Sequence, residues 1–328
     1  MTPDLPAELK VALERKAEGL SRNDAARRAS LISHTYRGGG DSKAIRTDED
    51  ALAYALARMP ATYAAIAACL TAMIATRPDF APASLLDVGA GPGTATWAAA
   101  QAFSSLRAFT LLDSNTSLRN LAIDFARSAP RLSSIDYQQG DALKLLANAP
   151  SADLVVASYL VGELGQTERA KLADAMWSKT SDTLLILEPG TPAGYARMIE
   201  LRTRLIAAGA HVVAPCPHDS ACPLVAPDWC HFSQRLARSR AHKHLKGAEL
   251  PYEDEKFSYV MLSRNAAIQR PARVLAQPKI SKVAVTMKLC TAAGIDIVNV
   301  PHRDKTNYSR AKKLNWGDAI DEKNFAPE

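Results

Sequence analysis

The 328-residue chain carries 40 Lys and Arg against 34 Asp and Glu, a formal charge of +6, and 47% of its residues are apolar. That is the make-up of an ordinary globular protein with a proper core, one large domain with extensions or two domains, and its basic balance favours an acidic partner, most commonly nucleic acid. The start, Met1-Thr2-Pro3-Asp4-Leu5-Pro6, has neither the basic residues nor the apolar run of a signal peptide, which sets the expectation of a cytoplasmic protein.

In chain order, residues 7–36 read as one or two helices with Arg and Lys on the polar side, stopped by Gly38-Gly39-Gly40. Helical periodicity resumes over 48–75, with Tyr54, Leu56, Met59, Tyr63, Ile66 and Leu70 spaced for a buried stripe and Cys69 packed within it. Residues 61–75 come nearest to a membrane span, but they are alanine-dominated, too short and bounded by Arg58 and Arg77, so a buried helix and no membrane contact are expected. Short apolar runs then follow at 84–88, 108–112, 134–138, 153–158 and 183–188, each succeeded by a helical stretch. This alternation predicts an α/β fold with a doubly wound parallel sheet, extended by a sixth strand at 210–213 and a seventh at 257–263. Beyond Arg264 come strand-like runs at 283–290 and 295–300 and a cation-rich stretch at 305–316. The implied division is a helical N-terminal extension (1–78), a sheet domain (79–264) with a cysteine-rich insertion at about 214–247, and a small basic C-terminal unit (265–328).

The first strand ends in Asp87 and runs into Gly89, Gly91 and Gly93, whose missing side chains let the backbone turn tightly and approach a ligand closely. Asp113 ends the second strand, where a carboxylate can accept two ribose hydroxyls, and Asp141 follows the third, where it can receive an adenine amino group. Asp87 itself is placed for the amino end of a methionine moiety. This Asp-x-Gly-x-Gly-x-Gly pattern, with acids after the next two strands, resembles the class I S-adenosylmethionine-dependent methyltransferases, since dinucleotide folds prefer G-x-G-x-x-G. After the fourth strand the chain reads Ser158-Tyr159-Leu160-Val161-Gly162-Glu163, without the Asn- or Asp-Pro-Pro-aromatic motif of enzymes that methylate base amines. Tyr159 and Glu163 are placed to line a pocket, and no catalytic residue is assigned.

Three of the five cysteines, Cys216, Cys222 and Cys230, fall within fifteen residues on a proline-constrained loop, and Cys290 is a distant fourth. In a reducing compartment such a set reads as a metal site rather than a disulfide framework. Four thiolates suit tetrahedral zinc or an iron-sulfur cluster, and spacing alone does not choose between them; His218 and His231 are alternative zinc ligands. Cys216 also offers a nucleophilic thiol of the kind cytosine C5 methylation needs, in competition with metal binding. Next to Cys230, residues 232–246 include Arg235, Arg238, Arg240, Lys243 and Lys246 with no acid, which reads as a cationic helix. The C-terminal stretch adds Lys312 and Lys313 with Tyr308 and Trp316 interleaved, so phosphate neutralisation and base stacking are both available.

From about Leu56 onward the chain resembles the methyltransferase-like proteins of the mitochondrial small ribosomal subunit and their bacterial relatives. The resemblance rests on Arg58-Met59-Pro60-Ala61-Thr62-Tyr63, the Asp87 to Gly93 loop, Glu188-Pro189-Gly190-Thr191-Pro192, the Cys216-Pro217-His218 run with Cys222-Pro223-Leu224, and Trp316-Gly317-Asp318. It implies that Cys216, Cys222, Cys230 and Cys290 bind a four-iron four-sulfur cluster, and that the protein binds ribosomal RNA of the maturing small subunit; a monomer is expected. S-adenosylmethionine is then a substrate or a structural ligand. Two other readings remain open at this point, an active ribosomal RNA methyltransferase braced by zinc or an iron-sulfur site, and a small-molecule methyltransferase with no RNA partner.

Overall fold

Ser21 starts the second helix by accepting a hydrogen bond from the Asp24 amide (3.4 Å), and Arg28 then bridges Asp24 and Asp50 at 2.6 Å each. In this computed structural model, which describes residues 3–268 and 270–321, these contacts join α2 (Arg22–Arg37) to α3 (Asp48–Thr76), and α1 (Ala7–Ala17) precedes them. A single 3-10 turn at Ser42–Ala44 lies between α2 and α3. By length and composition α3 is apolar enough to cross a membrane. Its Tyr63, Ile66, Leu70 and Met73 are nonetheless at most 1% exposed, as in the core helix of a water-soluble fold.

The chain then alternates as the sequence pattern predicts: β1 (Ser84–Val88), α4 (Thr94–Ala102), β2 (Ala108–Asp113), α5 (Thr116–Ala126), β3 (Asp136–Gln139), α6 (Ala142–Asn148), β4 (Ala152–Ser158), α7 (Gln166–Lys179), β5 (Thr180–Pro189) and α8 (Pro192–Ala207). After these come β6 (His211–Ala214), β7 (Phe232–Ala237), α9 (Arg240–Leu245) and β8 (Tyr252–Ser263). The strand order is β3-β2-β1-β4-β5-β8-β6, with β7 on β8. β1 pairs in parallel with β2 and β4, and β2 with β3, so the order reverses at β1 and opens a crevice at the carboxyl ends of β1 and β4. Leu85, Leu86, Leu111, Leu112, Leu154 and Val155 are buried as near-continuous runs because helices flank a parallel sheet on both faces.

This is the class I methyltransferase form of the Rossmann-like α/β fold, with one correction to the all-parallel expectation. β6 and β8 pair antiparallel. The stretch between them, residues 215–251, holds β7 and the six-residue α9. A second difference lies at 232–246, where the expected cationic helix is a strand, β7, followed by α9. Phe232 holds the start of the strand against Phe257 and Tyr259, and Ser239 caps α9 by accepting from the His242 amide at 3.1 Å.

The remaining strands are β9 (Ala272–Val274), β10 (Lys279–Ile280), β11 (Ala284–Thr291), β12 (Gly294–Pro301) and β13 (Ala319–Ile320), with α10 (Lys305–Ala311) between the last two. They form a second sheet in the order β10-β11-β9-β13, with β12 on β11. Val285, Met287 and Leu289 alternate inward along β11 and pack with Ala272, Val274, Val300, Ala311 and Ile320. Two compact units divide the chain: residues up to 71, 80–185 and 234–255 form one, and 72–79, 186–233 and those from 256 onward the other.

Candidate cofactor cleft and thiol pocket

In the first unit, the β1 loop is held open by its glycines. Gly89, Gly91 and Gly93 have φ of 70°, 54° and 79°, a region that side-chain-bearing residues rarely adopt. A Cβ on Gly89 would also come within 2.8 Å of the Leu160 side chain. The Gly91 amide donates to Asp113 Oδ2 at 2.8 Å and its carbonyl accepts from the Tyr137 hydroxyl at 2.7 Å, so the loop is fixed from both sides. Asp113 accepts a second amide bond, from Asn115, on Oδ1.

Asp87 is fully buried. Its Oδ2 accepts from the Thr96 amide (3.1 Å) and hydroxyl (2.8 Å), while Oδ1 has no partner among the described residues. Burial pushes its carboxyl up to about 7, against the pull of the Thr96 bonds, and burial also raises Asp113. Asp141 is exposed and caps α6 by accepting from the Lys144 amide at 3.0 Å. An orphaned carboxylate oxygen beside a glycine cradle suits the cationic amino end of S-adenosylmethionine, so the residues present fit that cofactor.

Three side chains complete the cleft: Glu163, which the sequence placed as lining a pocket, and Asn115 and Glu255, which it did not single out. Asn115 Nδ2 donates to the carbonyls of Ser42 (3.1 Å) and Ile45 (2.8 Å), and Glu163 Oε2 accepts from the Ser42 amide at 3.3 Å. Together they latch the turn that follows Gly38-Gly39-Gly40. Burial, with Asp113 and Asp41 nearby, pushes Glu163 up to about 7. The third is Glu255, 7% exposed, which pairs with Arg58 and accepts from the Tyr159 hydroxyl, each at 2.8 Å. Tyr159 has a φ of 56°, so this network sits on strained backbone directly after β4.

The cations proposed from sequence sit differently from one another. Arg235 makes two 2.8 Å bonds to Asp254 and lies over the Tyr252 ring at 3.9 Å. Arg238 and Lys246 both meet Glu253, at 3.3 Å and 2.5 Å. Arg240 is exposed and Lys243 half-buried on α9. In the second unit, Lys312 and Lys313 are exposed at the end of α10, Lys312 lying 5.5 Å from the Tyr308 ring centre.

The second unit also holds all four cysteines of the predicted set, and none of the five in the chain forms a disulfide. Among the described residues no three His, Cys, Asp or Glu side chains converge as ligands of one ion would. The thiols nevertheless lie near one another. Burial raises Cys216, Cys230 and Cys290, and Cys230 feels the charge of Cys216, Cys222 and Cys290 alike. The Tyr195 hydroxyl donates to Cys222 Sγ at 3.3 Å. His218 Nε2 lies 3.8 Å from Cys290 Sγ, and its Nδ1, 3.2 Å from the Ser220 carbonyl, carries the proton, because a carbonyl only accepts. Arg202 and Arg273 flank Cys216, and the buried Nε of Arg202 has no partner among the described residues. Beside Cys230, His231 stacks on Trp229 at 4.9 Å and meets the edge of Trp316 at 4.6 Å. Soft sulfur donors beside a guanidinium nitrogen that lacks a partner suit an anionic metal–thiolate group.

Residues 48–321 match the family profile described as mitochondrial small ribosomal subunit Rsm22. The chain belongs to the Rsm22 family. Relatives include the human ribosome assembly protein METTL17, mitochondrial, 27% identical over 302 residues, which cover 84% of this chain and 63% of the human one. Another is the Rsm22-cox11 tandem protein 2, mitochondrial, of Schizosaccharomyces pombe, 27% identical over 261 residues, 70% of this chain and 34% of the yeast one. The Rsm22 chain described above thus spans about two thirds or less of these relatives' length. Among solved structures, magnesium protoporphyrin IX methyltransferase from Synechocystis with bound SAM has a TM-score of 0.43 at 11% identity, over 79% of this chain and 98% of that one. These matches overturn the expectation of a cytoplasmic protein, because the Rsm22 family and both relatives are mitochondrial by description. That expectation rested only on the absence of leader-like residues at the start of the chain, which does not carry it.

Proposed function

We propose that this methyltransferase-like Rsm22-family chain binds ribosomal RNA of the small subunit and acts in ribosome assembly or translation. In this reading Cys216, Cys222, Cys230 and Cys290 hold a four-iron four-sulfur cluster, and Asp87, Gly89, Gly91, Gly93, Asp113 and Asp141 hold S-adenosylmethionine. The observation that carries it is the mutual proximity of four thiols, three from one short loop and the fourth from β11, within a chain of a family described by the small subunit. When bound, S-adenosylmethionine supplies an electrophilic methyl group. The chain's own residues bind and orient: Asp87 Oδ1 offers an acceptor to the amino group, Asp113 fixes the loop and keeps lone pairs for the ribose, and the latched turn at Ser42–Ala44 restricts water. Arg240, Lys243, Lys312 and Lys313 contact phosphates, with Arg235 and Arg238 contributing from within their ion pairs.

Iron, acid-labile sulfide and zinc content of anaerobically purified protein, beside a Cys222→Ser variant, tests the cluster. About four irons and four sulfides, lost in the variant, are expected; one zinc without sulfide refutes it. Co-sedimentation with small ribosomal subunits tests the partner. A second reading, an active ribosomal RNA methyltransferase, is favoured by the unpartnered Asp87 oxygen and the open glycine loop. A mass change of one methyl group on ribosomal RNA between cells with and without the gene would establish it.

A further inference from the structure

Arg202, on α8, and Arg273, on β9, are each 3% exposed. Arg202 donates to the His218 carbonyl at 2.7 Å, and Arg273 to the carbonyls of Pro215 (3.3 Å) and Gly317 (3.0 Å). Carbonyls satisfy N–H groups but do not balance charge, and among the described residues neither guanidinium has a carboxylate partner, unlike Arg197 of the same helix, which pairs with Glu188 at 2.8 Å. A buried guanidinium without a counter-charge is strongly unfavourable. Both arginines act electrostatically on the thiols of Cys216 and Cys290. Arg273 is moreover the direct cross-strand neighbour of Cys290 in the β9–β11 pair.

The charges match. Four thiolates on a +2 metal centre, whether zinc or an oxidised four-iron four-sulfur core, carry a net −2, equal and opposite to two guanidiniums. Four neutral thiols would leave both cations unbalanced. We propose that Arg202 and Arg273 are the built-in counter-charges of this dianionic metal–thiolate group, and that the Tyr195 hydroxyl is a hydrogen-bond donor to its Cys222 sulfur. All three are positioning residues, and the proposal rests on the metal-binding reading above. Charge and hydrogen bonds at the sulfurs set the potential of such a group. One-electron reduction by an external donor takes the cluster from −2 to −3, so neighbouring cations stabilise the reduced form and raise its potential.

The test uses the full chain, reconstituted anaerobically with ferrous iron and sulfide and titrated optically with dithionite. Arg202→Met is expected to lower the reduction equilibrium at least tenfold, about 59 mV for one electron. Arg202→Lys keeps the charge and should recover most of that loss, and Tyr195→Phe should lower the equilibrium by a smaller factor. A potential for Arg202→Met equal to that of the wild type, or equal to that of Arg202→Lys, overturns the proposal. If Arg202→Met fails to fold by circular dichroism, Tyr195→Phe decides, because it removes only one hydroxyl, and an unchanged potential overturns the proposal. Failure of the wild type to take up iron and sulfide refutes the cluster instead. The counter-charge is then read on zinc-loaded protein as release to a chelator, at least tenfold faster for Arg202→Met than for Arg202→Lys, and equal rates overturn it.

Discussion

Replacing Asp87 with asparagine removes a buried charge while keeping the shape of the side chain. Burial carries the carboxyl from its ordinary 3.8 to about 7. Between those values the native state holds a proton that the unfolded chain has released, so stability falls as pH rises through this window and levels off above it. At 1.36 kcal/mol per pH unit, the ionised carboxylate costs the ligand-free protein about 4 kcal/mol at pH 8.5. The Thr96 bonds are already counted in that value, and asparagine keeps both as a neutral acceptor. Asp87→Asn should therefore be more stable than wild type by about 4 kcal/mol at pH 8.5 and by about 2 kcal/mol at pH 5. Urea unfolding of ligand-free protein at the two pH values measures this. A variant less stable by the same amount at both would refute the reasoning. In the same protein, calorimetry should show S-adenosylmethionine binding lost, since the amino group then meets a neutral amide.

Gly89→Ala places a methyl group in positive-φ backbone and against Leu160, so about 1–2 kcal/mol of stability and most cofactor affinity should be lost, as read by thermal melts and calorimetry. Glu255→Ala leaves the Arg58 guanidinium without its carboxylate and should cost about 3 kcal/mol in denaturant unfolding, whereas Tyr159→Phe, losing one hydrogen bond to that carboxylate, should cost about half as much. Lys312→Ala with Lys313→Ala should reduce the slope of log affinity against log salt for single-stranded RNA by about 1.4, while Arg235→Ala, already engaged by Asp254, should change it less. A slope change of about 0.7 for Arg235→Ala, the full share of one phosphate contact, would show that the ion pair opens on binding.

The β1 strand and its loop were legible in the sequence because two signals coincide there, a run buried on both faces and glycines where the backbone turns through positive φ. The thiol set was legible because three members lie close together and cysteine has few other uses in such a loop. What stayed hidden was non-local. The segment 232–246 contains no acid, yet Glu253 and Asp254, reached through the neighbouring strand, neutralise Arg235, Arg238 and Lys246. Asn115 and Glu163 were unreadable as a latch because their partner, the turn at Ser42–Ala44, is about 70 to 120 residues away. The direction of β8 was hidden too, since an apolar run fits either orientation. Arg202 and Arg273 look like surface cations until burial is known, because the period that places Leu201 and Leu205 inward on α8 says nothing about what covers the neighbouring residue.

The thiol pocket draws three members from one short loop and the fourth from β11, held opposite Arg273 of β9. A ribosome makes those parts in order, and about 60 residues separate Cys230 from Cys290, among them β8 and β9. A chain that stops short of β11, or one whose second sheet misfolds, has three sulfurs and no fourth. A complete thiol set thus records that synthesis has passed β11 and that β11 has reached its place beside β9.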